Sequence, residues 1–357
     1  TLGLVPALLV LFQQFSLVSP LANALAIPLV SFVVTPLAIG FAILPLQMLA
    51  DLAHAAFTLT MLPIDWLAEL PWASWQQAAP PLWASLLGVL GVVWLLLPRG
   101  FPARWLGLCL LLPALFWVPP RPVAGEAWVD VLDVGQGMAV VVRTAEHNLL
   151  YDTGPLYSAD ANAGQRVVVP YLRAIGVGRL DALVVSHKDK DHSGGVAAVE
   201  ESLLVIRRLS SIPELAGEPC AAGQNWQWDG VRFSVLHPEA SDYQRQLRKT
   251  NSMSCVLRVE AAGASVLLPG DIEADNEKAM IARSPSLRSE VLVAPHHGGA
   301  ASSTPEFIAA VGAREVIFSA GYRNAFGHPH PLVVERYATS RQWRTDRDGA
   351  VHAEWRS

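Results

Sequence analysis

The chain has 357 residues, of which 52% are hydrophobic and 16% charged, with a formal net charge of −5 and a mean hydropathy of +0.33. Ordinary soluble domains are about 25% charged, so these values exclude a disordered chain and argue against a purely soluble one. The average also hides a step near Pro119 and Pro120. Residues 1–118 carry five charged side chains (Asp51, Asp65, Glu69, Arg99 and Arg104), and residues 119–357 carry the other 52.

Taken in chain order, the first part reads as membrane. Residues 1–50 hold no charged side chain, which a helix with one wet face rarely manages. A crossing takes about 20 apolar residues, and the candidate spans are 2–17, 21–49, 82–97 and 105–118. The second is long for one crossing and contains Pro28, Pro36 and Pro45. Each proline removes a helix hydrogen bond, so this segment is either a broken helix lining a wet cavity or an ordinary kinked one. Trp66, Trp72 and Trp75 lie with Asp65 and Glu69 in 62–77. That stretch reads as interfacial and amphipathic, or as a short helix packed on the bundle. Arg99 and Arg104 flank the short loop 98–103, and the positive-inside rule puts that loop in the cytoplasm and residues 119–357 outside it. There is no initiator methionine and no basic leader, so Thr1 is expected to lie within a longer membrane protein.

Beyond Pro122 the hydrophobic period changes. Short strands are expected at 128–134, 138–143, 148–151, 181–185, 204–209, 231–236, 255–259, 265–268, 291–293, 315–319 and 351–355. Helices fit 169–175, 195–201, 274–282, 305–311 and 332–340. Strands in runs with helices between them suit two sheets with helices outside better than one parallel sheet. Three cysteines without a CxxC pair exclude a zinc ribbon or a dense disulfide framework. Cys220 and Cys255 read as independent buried thiols, or as a bridge if the domain lies outside the cytoplasm.

The most informative stretch is Ser186-His187-Lys188-Asp189-Lys190-Asp191-His192-Ser193-Gly194-Gly195. It places four potential ligands within six residues, directly after an apolar strand, and two glycines then let the backbone turn tightly. The same order, apolar strand then polar ligand then Gly or Pro, recurs at Asp152-Thr153-Gly154, His237-Pro238, Gly270-Asp271 and His296-His297-Gly298-Gly299. A loop at the end of a strand is where each would sit. Singly, His237 reads as a capping residue and either of His296 and His297 as a neighbour of the site. Together the groups describe a two-metal hydrolytic site.

These residues carry a resemblance. The loop is similar to the His-x-His-x-Asp-His loop of the metallo-β-lactamase superfamily, with Asp189 in place of the second histidine. Together with Leu132-Asp133-Val134-Gly135-Gln136-Gly137, Tyr151-Asp152-Thr153-Gly154, Leu268-Pro269-Gly270-Asp271 and Pro295-His296-His297-Gly298, the chain resembles the ComEC family of competence DNA-uptake proteins. Residues 1–118, with Ser19-Pro20-Leu21-Ala22-Asn23 and Ile27-Pro28-Leu29, resemble the end of that family's membrane channel. Two departures are Met138, where many members have Asp, and Gly299, where many have Ser.

The resemblance implies an α-helical transmembrane segment (1–118) followed by an α/β metallo-β-lactamase-like αββα sandwich (119–357). It implies that His187 and Asp189 bind one divalent metal with His237, and that Asp191 and His192 bind a second with His296 or His297. Asp271 would bridge the two, with Asp191, His192 and Asp271 as the catalytic group and Asp152 orienting the loop from behind. Asp189 hardens one site relative to imidazole, which favours Mn²⁺ while leaving Zn²⁺ open. The implied role is DNA internalisation in natural transformation: one strand passes the channel and the other is degraded by a metal-dependent nuclease. Single-stranded DNA, the lipid bilayer and other competence proteins are then the partners, and the place is the cytoplasmic membrane, multi-pass, with the hydrolase domain on the periplasmic or extracellular side.

Charge gives the DNA reading no independent support, because residues 119–357 carry 24 basic and 28 acidic side chains. Arg341, Arg344 and Arg347, or Arg245, Arg248 and Lys249, would form a basic patch or simply a solvated face. His328 and Asn324 lie in a glycine-punctuated loop that either reaches the substrate or forms a structural turn. The same ligands also serve a membrane-tethered hydrolase of another ester. A third reading, a transport protein with a silent cap domain, leaves so many convergent ligands without a purpose.

Overall fold

The computed structural model describes residues 2–98, 100–244, 249–283 and 286–355. The chain forms two compact units, Thr1–Pro119 with Arg173–Gly176, and Pro120–Leu172 with Val177–Ser357. Arg99, Arg245 and Arg248, invoked above for orientation and for a basic patch, lie outside the described residues.

The first unit is helical. Among the described residues one helix, Ser19–Ile43, is long and apolar enough to cross a membrane. It continues through Pro28 and then widens to a π-helical turn at Val30–Val34, where the Thr35 amide bonds the Val30 carbonyl. Pro36 follows directly after that wider turn. The chain becomes extended at Leu44, ahead of Pro45, so the expected 21–49 span ends early. The other expected spans are shorter still: Val5–Phe12, Leu82–Leu96 and Leu106–Leu115 have 8, 15 and 10 residues. At 1.5 Å per residue none of these reaches the ~30 Å of a hydrocarbon core. Leu82–Leu96 and Leu106–Leu115 meet through Gly91 and Gly107, where a Cβ on either would come within 2.5 Å of the other's carbonyl oxygen. That close backbone approach is typical of small-residue helix packing in apolar surroundings. A 22-residue helix, Gln47–Ala68, was not expected as one element, since its Asp51, His54 and Asp65 interrupt the apolar pattern.

The second unit is an αββα sandwich, the fold that the resemblance implies. Its strands are β1 (Ala127–Val131), β2 (Val140–Arg143), β3 (Asn148–Tyr151), β4 (Arg179–Val185), β5 (Leu204–Ser210), β6 (Glu218–Pro219), β7 (Asn225–Trp228), β8 (Val231–His237), β9 (Val256–Ala261), β10 (Ala264–Leu268), β11 (Val291–Val293), β12 (Glu315–Phe318), β13 (Arg341–Arg344) and β14 (Val351–Trp355). They form two seven-stranded sheets, ordered β6-β5-β4-β3-β2-β1-β14 and β7-β8-β9-β10-β11-β12-β13. Strand alternation builds the layers. Leu257, Val259, Val266, Leu268, Val291 and Val293 face the inter-sheet core opposite Val129, Val140, Val142, Leu149 and Ala182. The intervening Val256, Leu267 and Leu292 face outward under Ile272, Met280, Phe307 and Val333 of the covering segments, as a period of two requires. Helices Ala274–Arg283, Pro305–Val311 and Pro331–Arg336 thereby cover the second sheet.

Within these two sheets three strands were not expected, β6, β7 and β13, and neither was the small antiparallel pair of Leu156–Ser158 and Ala161–Asn162 outside them. β13 is made of Arg341, Gln342, Trp343 and Arg344, which look like surface, but it completes the parallel edge beside β12. There Arg344 makes a two-pronged ion pair with Asp346 at 2.9 and 2.7 Å, and Arg341 lies over the Trp343 ring at 4.2 Å. The charge of Arg344 is thereby engaged locally, whereas Arg341 remains exposed. Cys220 and Cys255 form a disulfide with Cα atoms 5.9 Å apart, rather than the independent thiols expected. It joins the segment after β6 in one sheet to the residue before β9 in the other.

Candidate metal centre

Parallel pairing decides where the site lies. β3 and β4 run parallel in the first sheet, and β10, β11 and β12 run parallel in the second. Residues that leave these strands therefore gather at the carboxyl ends, the usual place for a ligand in such sheets. Asp152 leaves β3, His187 leaves β4, Asp271 leaves β10, and His296 and His297 leave β11. Asp152, His296 and His297 have φ of +59°, +51° and +55°, a left-handed backbone that costs non-glycine residues energy and persists where surroundings enforce it. The Gly135–Gly137 turn braces the loop from the side. A Cβ on Gly137, at φ +146°, would lie 2.3 Å from the Asp191 carbonyl oxygen, so the contact requires glycine. Met138 packs in the inter-sheet core while its amide donates to that same carbonyl at 3.1 Å.

One oxygen or nitrogen from each of Asp191, His192, Asp271 and His297 lies within 4.8 Å of the others. His192 Nε2 is 3.0 Å from Asp271 Oδ1 and 3.1 Å from His297 Nε2. His297 Nε2 is 3.3 Å from Asp191 Oδ2 and 3.6 Å from Asp271 Oδ2. Two outer contacts aim these rings. His192 Nδ1 bonds Asp152 Oδ2 at 2.7 Å, and His297 Nδ1 donates to the Ser319 carbonyl at 2.7 Å. With Nδ1 occupied, each ring presents Nε2 to the cluster, the arrangement that metal-binding histidines adopt. Asp152 also accepts from the Ser186 amide at 2.7 Å and the Ser186 hydroxyl at 2.8 Å, so it holds the loop as well as the ring.

A second group adjoins the first across Asp271. His187 Nε2 stands 3.6 Å from Asp189 Oδ2 and 3.9 Å from Asp271 Oδ2. The nitrogen is buried and, among the described residues, has no hydrogen-bond partner. A buried imidazole nitrogen left unpaired is costly. Separations of this size, too long for hydrogen bonds, suit ligands of one divalent ion with bonds of about 2.0–2.2 Å. The donor set, imidazole plus carboxylate, fits such an ion in both groups. His296 Nε2 lies 3.9 Å from Asp271 Oδ2, farther from the carboxylates than His297.

Electrostatics agrees with a charge-rich site. Burial alone would raise the Asp271 carboxyl, but His192 and His297 hold it well below the usual range. Asp191 is likewise brought down to about 2 against the effect of burial, by His297 and His192. Burial opposes protonation of His192, yet Asp271 and Asp152 outweigh it and raise the imidazole well above its ordinary value. His297 is raised in the same way, by Asp271 and Asp191. A divalent cation bound at these nitrogens would take the place of a proton.

His237 departs from the expected arrangement. β8 runs in the same direction as β10, but β9 lies between them, which sets it about 10 Å to the side. Its Nε2 meets the Ser252 carbonyl at 2.9 Å and its Nδ1 meets Arg283 at 3.4 Å, in a separate cavity. Asn324, expected to face substrate, spends its side chain inside its loop: the amide donates to the carbonyls of Gly321 and His328 at 2.9 and 2.6 Å, and the oxygen accepts from the His328 amide. His328 itself lines the metal cleft. Burial first, then the neighbouring His297 and His296, push it down to about 4, so it is neutral at pH 7. A Cβ on Gly299 would come within 3.1 Å of His328 Nε2, so glycine leaves room for the ring. Ser186 and Ser254 were missed as site residues. Ser254 accepts from the Asp271 amide at 3.0 Å and lies 3.4 Å from His187 Nδ1, and an isolated serine gives no signal of this in sequence.

Comparison with known proteins agrees with this order of parts. The "Competence protein" family matches residues 1–102, and the "Metallo-beta-lactamase superfamily" matches residues 132–242. The chain is 39% identical to "Competence protein ComA" of Neisseria gonorrhoeae over 96% of its own length and 48% of that protein's. It is 29% identical to "ComE operon protein 3" of Bacillus subtilis (strain 168) over 100% of its length and 51% of that protein's. The chain belongs to the ComEC family of competence proteins. This ComEC-family chain spans about half the length of the curated relatives it matches. Among solved structures, the metallo-β-lactamase fold protein YhfI from Bacillus subtilis covers 64% of this chain and 99% of its own at 14% identity, with a TM-score of 0.44.

Proposed function

We propose that this protein serves DNA uptake in natural transformation, and that residues 119–357 are a divalent-metal-dependent phosphodiesterase that degrades the strand not imported. The observation that carries the proposal is the pair of ligand groups sharing Asp271: Asp191, His192 and His297 on one side, His187 and Asp189 on the other. Two bound divalent ions supply a nucleophilic water at neutral pH and charge neutralisation for a phosphodiester oxygen. The chain's own residues do the rest. Asp271 reaches both groups, Asp152 and Ser319 fix the two buried rings, and neutral His328 lines the approach. Asp189, a hard oxygen ligand, tilts the preference toward Mn²⁺.

The competence family supports a role at the cytoplasmic membrane, with residues 1–118 forming the end of the channel. The Cys220–Cys255 disulfide supports placing the hydrolase unit on the periplasmic or extracellular side, where such bonds persist. Single-stranded DNA, the bilayer and other uptake proteins are the partners this reading requires.

The test is a substrate panel. The whole chain, stripped with chelator and reloaded with Mn²⁺ or Zn²⁺, is offered single-stranded DNA, a simple phosphodiester and a thioester. Mn²⁺-dependent cleavage of DNA, lost in Asp191→Ala, is expected. Turnover of the thioester without DNA cleavage would sink the nuclease reading, and equal or greater DNA cleavage with Zn²⁺ would sink the metal preference.

A further inference from the structure

The cleft above the metal ligands, about 470 Å³ in volume, has an unusual rim. Besides Asp189, Asp191, Asp271 and the histidines it is lined by Leu156, Tyr157 and Phe326, which are 38%, 44% and 70% exposed. Phe326 contributes little to the packing of the domain at that exposure. Apolar side chains held in water beside an ionic centre point to a ligand that covers them.

The rings are ordered. Phe326 stacks on His328 at 5.8 Å with planes 28° apart, and His328 stacks on His297 at 6.3 Å with planes 24° apart. Three near-parallel rings thus descend from the mouth of the cleft to a metal ligand. The middle ring is held: Gln136 joins His328 to the Gly135–Gly137 turn, with Nε2 3.4 Å from His328 Nδ1 and Oε1 accepting from the Gly321 amide at 3.2 Å. Another part of the cleft lining is fixed as well, since Tyr157 donates its hydroxyl to the Val134 carbonyl at 2.9 Å. Lys190 lines the same cleft and offers a phosphate a positive charge.

We infer that Phe326, with Leu156 and Tyr157, forms a nucleobase-stacking subsite that holds the base next to the scissile phosphate. The inference rests on the phosphodiesterase reading and narrows it to an unpaired strand. A base within a duplex has both faces covered by its neighbours and its edge paired, so it cannot occupy such a subsite without leaving the stack. Stacking on an aromatic side chain is tolerant of sequence, because every base has a flat face. The site therefore selects strand state and not base identity, which suits a protein that must degrade any single strand presented to it.

The experiment compares kcat/KM of the Mn²⁺-loaded whole chain on a single-stranded thymidine oligonucleotide and on the same oligonucleotide made of abasic residues. The base-bearing strand is expected to be preferred by about 5- to 150-fold, the range of one base–aromatic stack. Phe326→Ala is expected to bring that ratio toward one, and Phe326→Trp to restore it. Equal cleavage of the two strands by the unaltered protein, or a ratio that Phe326→Ala leaves in place, would overturn the subsite while the phosphodiesterase reading stood. Cleavage of neither strand would overturn the phosphodiesterase reading and the subsite with it.

Discussion

The two halves of the metal centre are built differently. Asp191, His192 and His297 converge with Asp271 so closely that four ligand atoms share a sphere of less than 5 Å, and two rings are held from behind by Asp152 and the Ser319 carbonyl. On the other side, His187 is buried but Asp189 is 42% exposed, and their separation is 3.6 Å. One half is preorganised by outer contacts. The other depends on a carboxylate at the edge of the cleft, with water as its competitor. A ligand motif is thus uneven in its parts: within one loop His192 is fixed by a buried partner, Asp152, while exposed Asp189 is left to be fixed by what it binds.

The largest effect should come from the residue the halves share. Asp271→Ala removes a ligand from both groups and leaves His187 and His192 without their common carboxylate. Activity on single-stranded DNA should fall by more than the ~10–100-fold that loss of an outer-contact residue costs. An Asp271→Ala protein that retained a tenth of the activity would mean that the halves do not act together.

Next is the bracing of the tight half. Asp152→Asn keeps the shape but weakens the bond to His192 Nδ1 and the hold on Ser186. Metal affinity or activity should drop about 10–100-fold. The smaller, exposed half should feel this less. Mn²⁺ titrations that showed equal weakening of both sites would erase the distinction.

A smaller and reversible effect is that of pH. His192 and His297 are raised above the ordinary imidazole value in the metal-free fold. Their protonation stabilises the metal-free protein fully below the unfolded imidazole value of about 6.5, and that contribution is lost as pH rises through their folded values. A metal needs the same nitrogens unprotonated. Mn²⁺ at one fixed concentration, about 100 times its Kd at pH 8, should therefore raise Tm by roughly 5–10 °C at pH 8 and by less at pH 6. A shift that stayed constant between the two would show that no proton is displaced and that these rings are not ligands.

Much of the site was legible because its residues sit where strands stop. Asp152, His187, Asp271, His296 and His297 all follow a short apolar run, and parallel pairing of the runs brings their ends together. His237 shows the limit of that reasoning. It has the same local signature, yet lateral strand order, which no local pattern reveals, leaves it two strands from Asp271. β13 was unreadable for a different reason: at an edge, arginines can pair through their backbone while their side chains find Asp346 or an indole. In the N-terminal region hydropathy located the apolar segments but not their helical lengths. The expected 21–49 span is cut at Leu44, ahead of Pro45, and a π turn at Val30–Val34 lies between Pro28 and Pro36. The serines that support His187 and Asp271 leave no trace in sequence, since their role depends on two sheets meeting.

Two ligand groups joined by Asp271 would hold two metal ions. The count of Mn²⁺ ions bound per chain, measured on the chelator-stripped and reloaded protein, tests this most directly. Two per chain are expected, falling to one in Asp189→Ala with the tight site still filled. One ion per chain in the unaltered protein, or no change on removing Asp189, would contradict the two-metal centre.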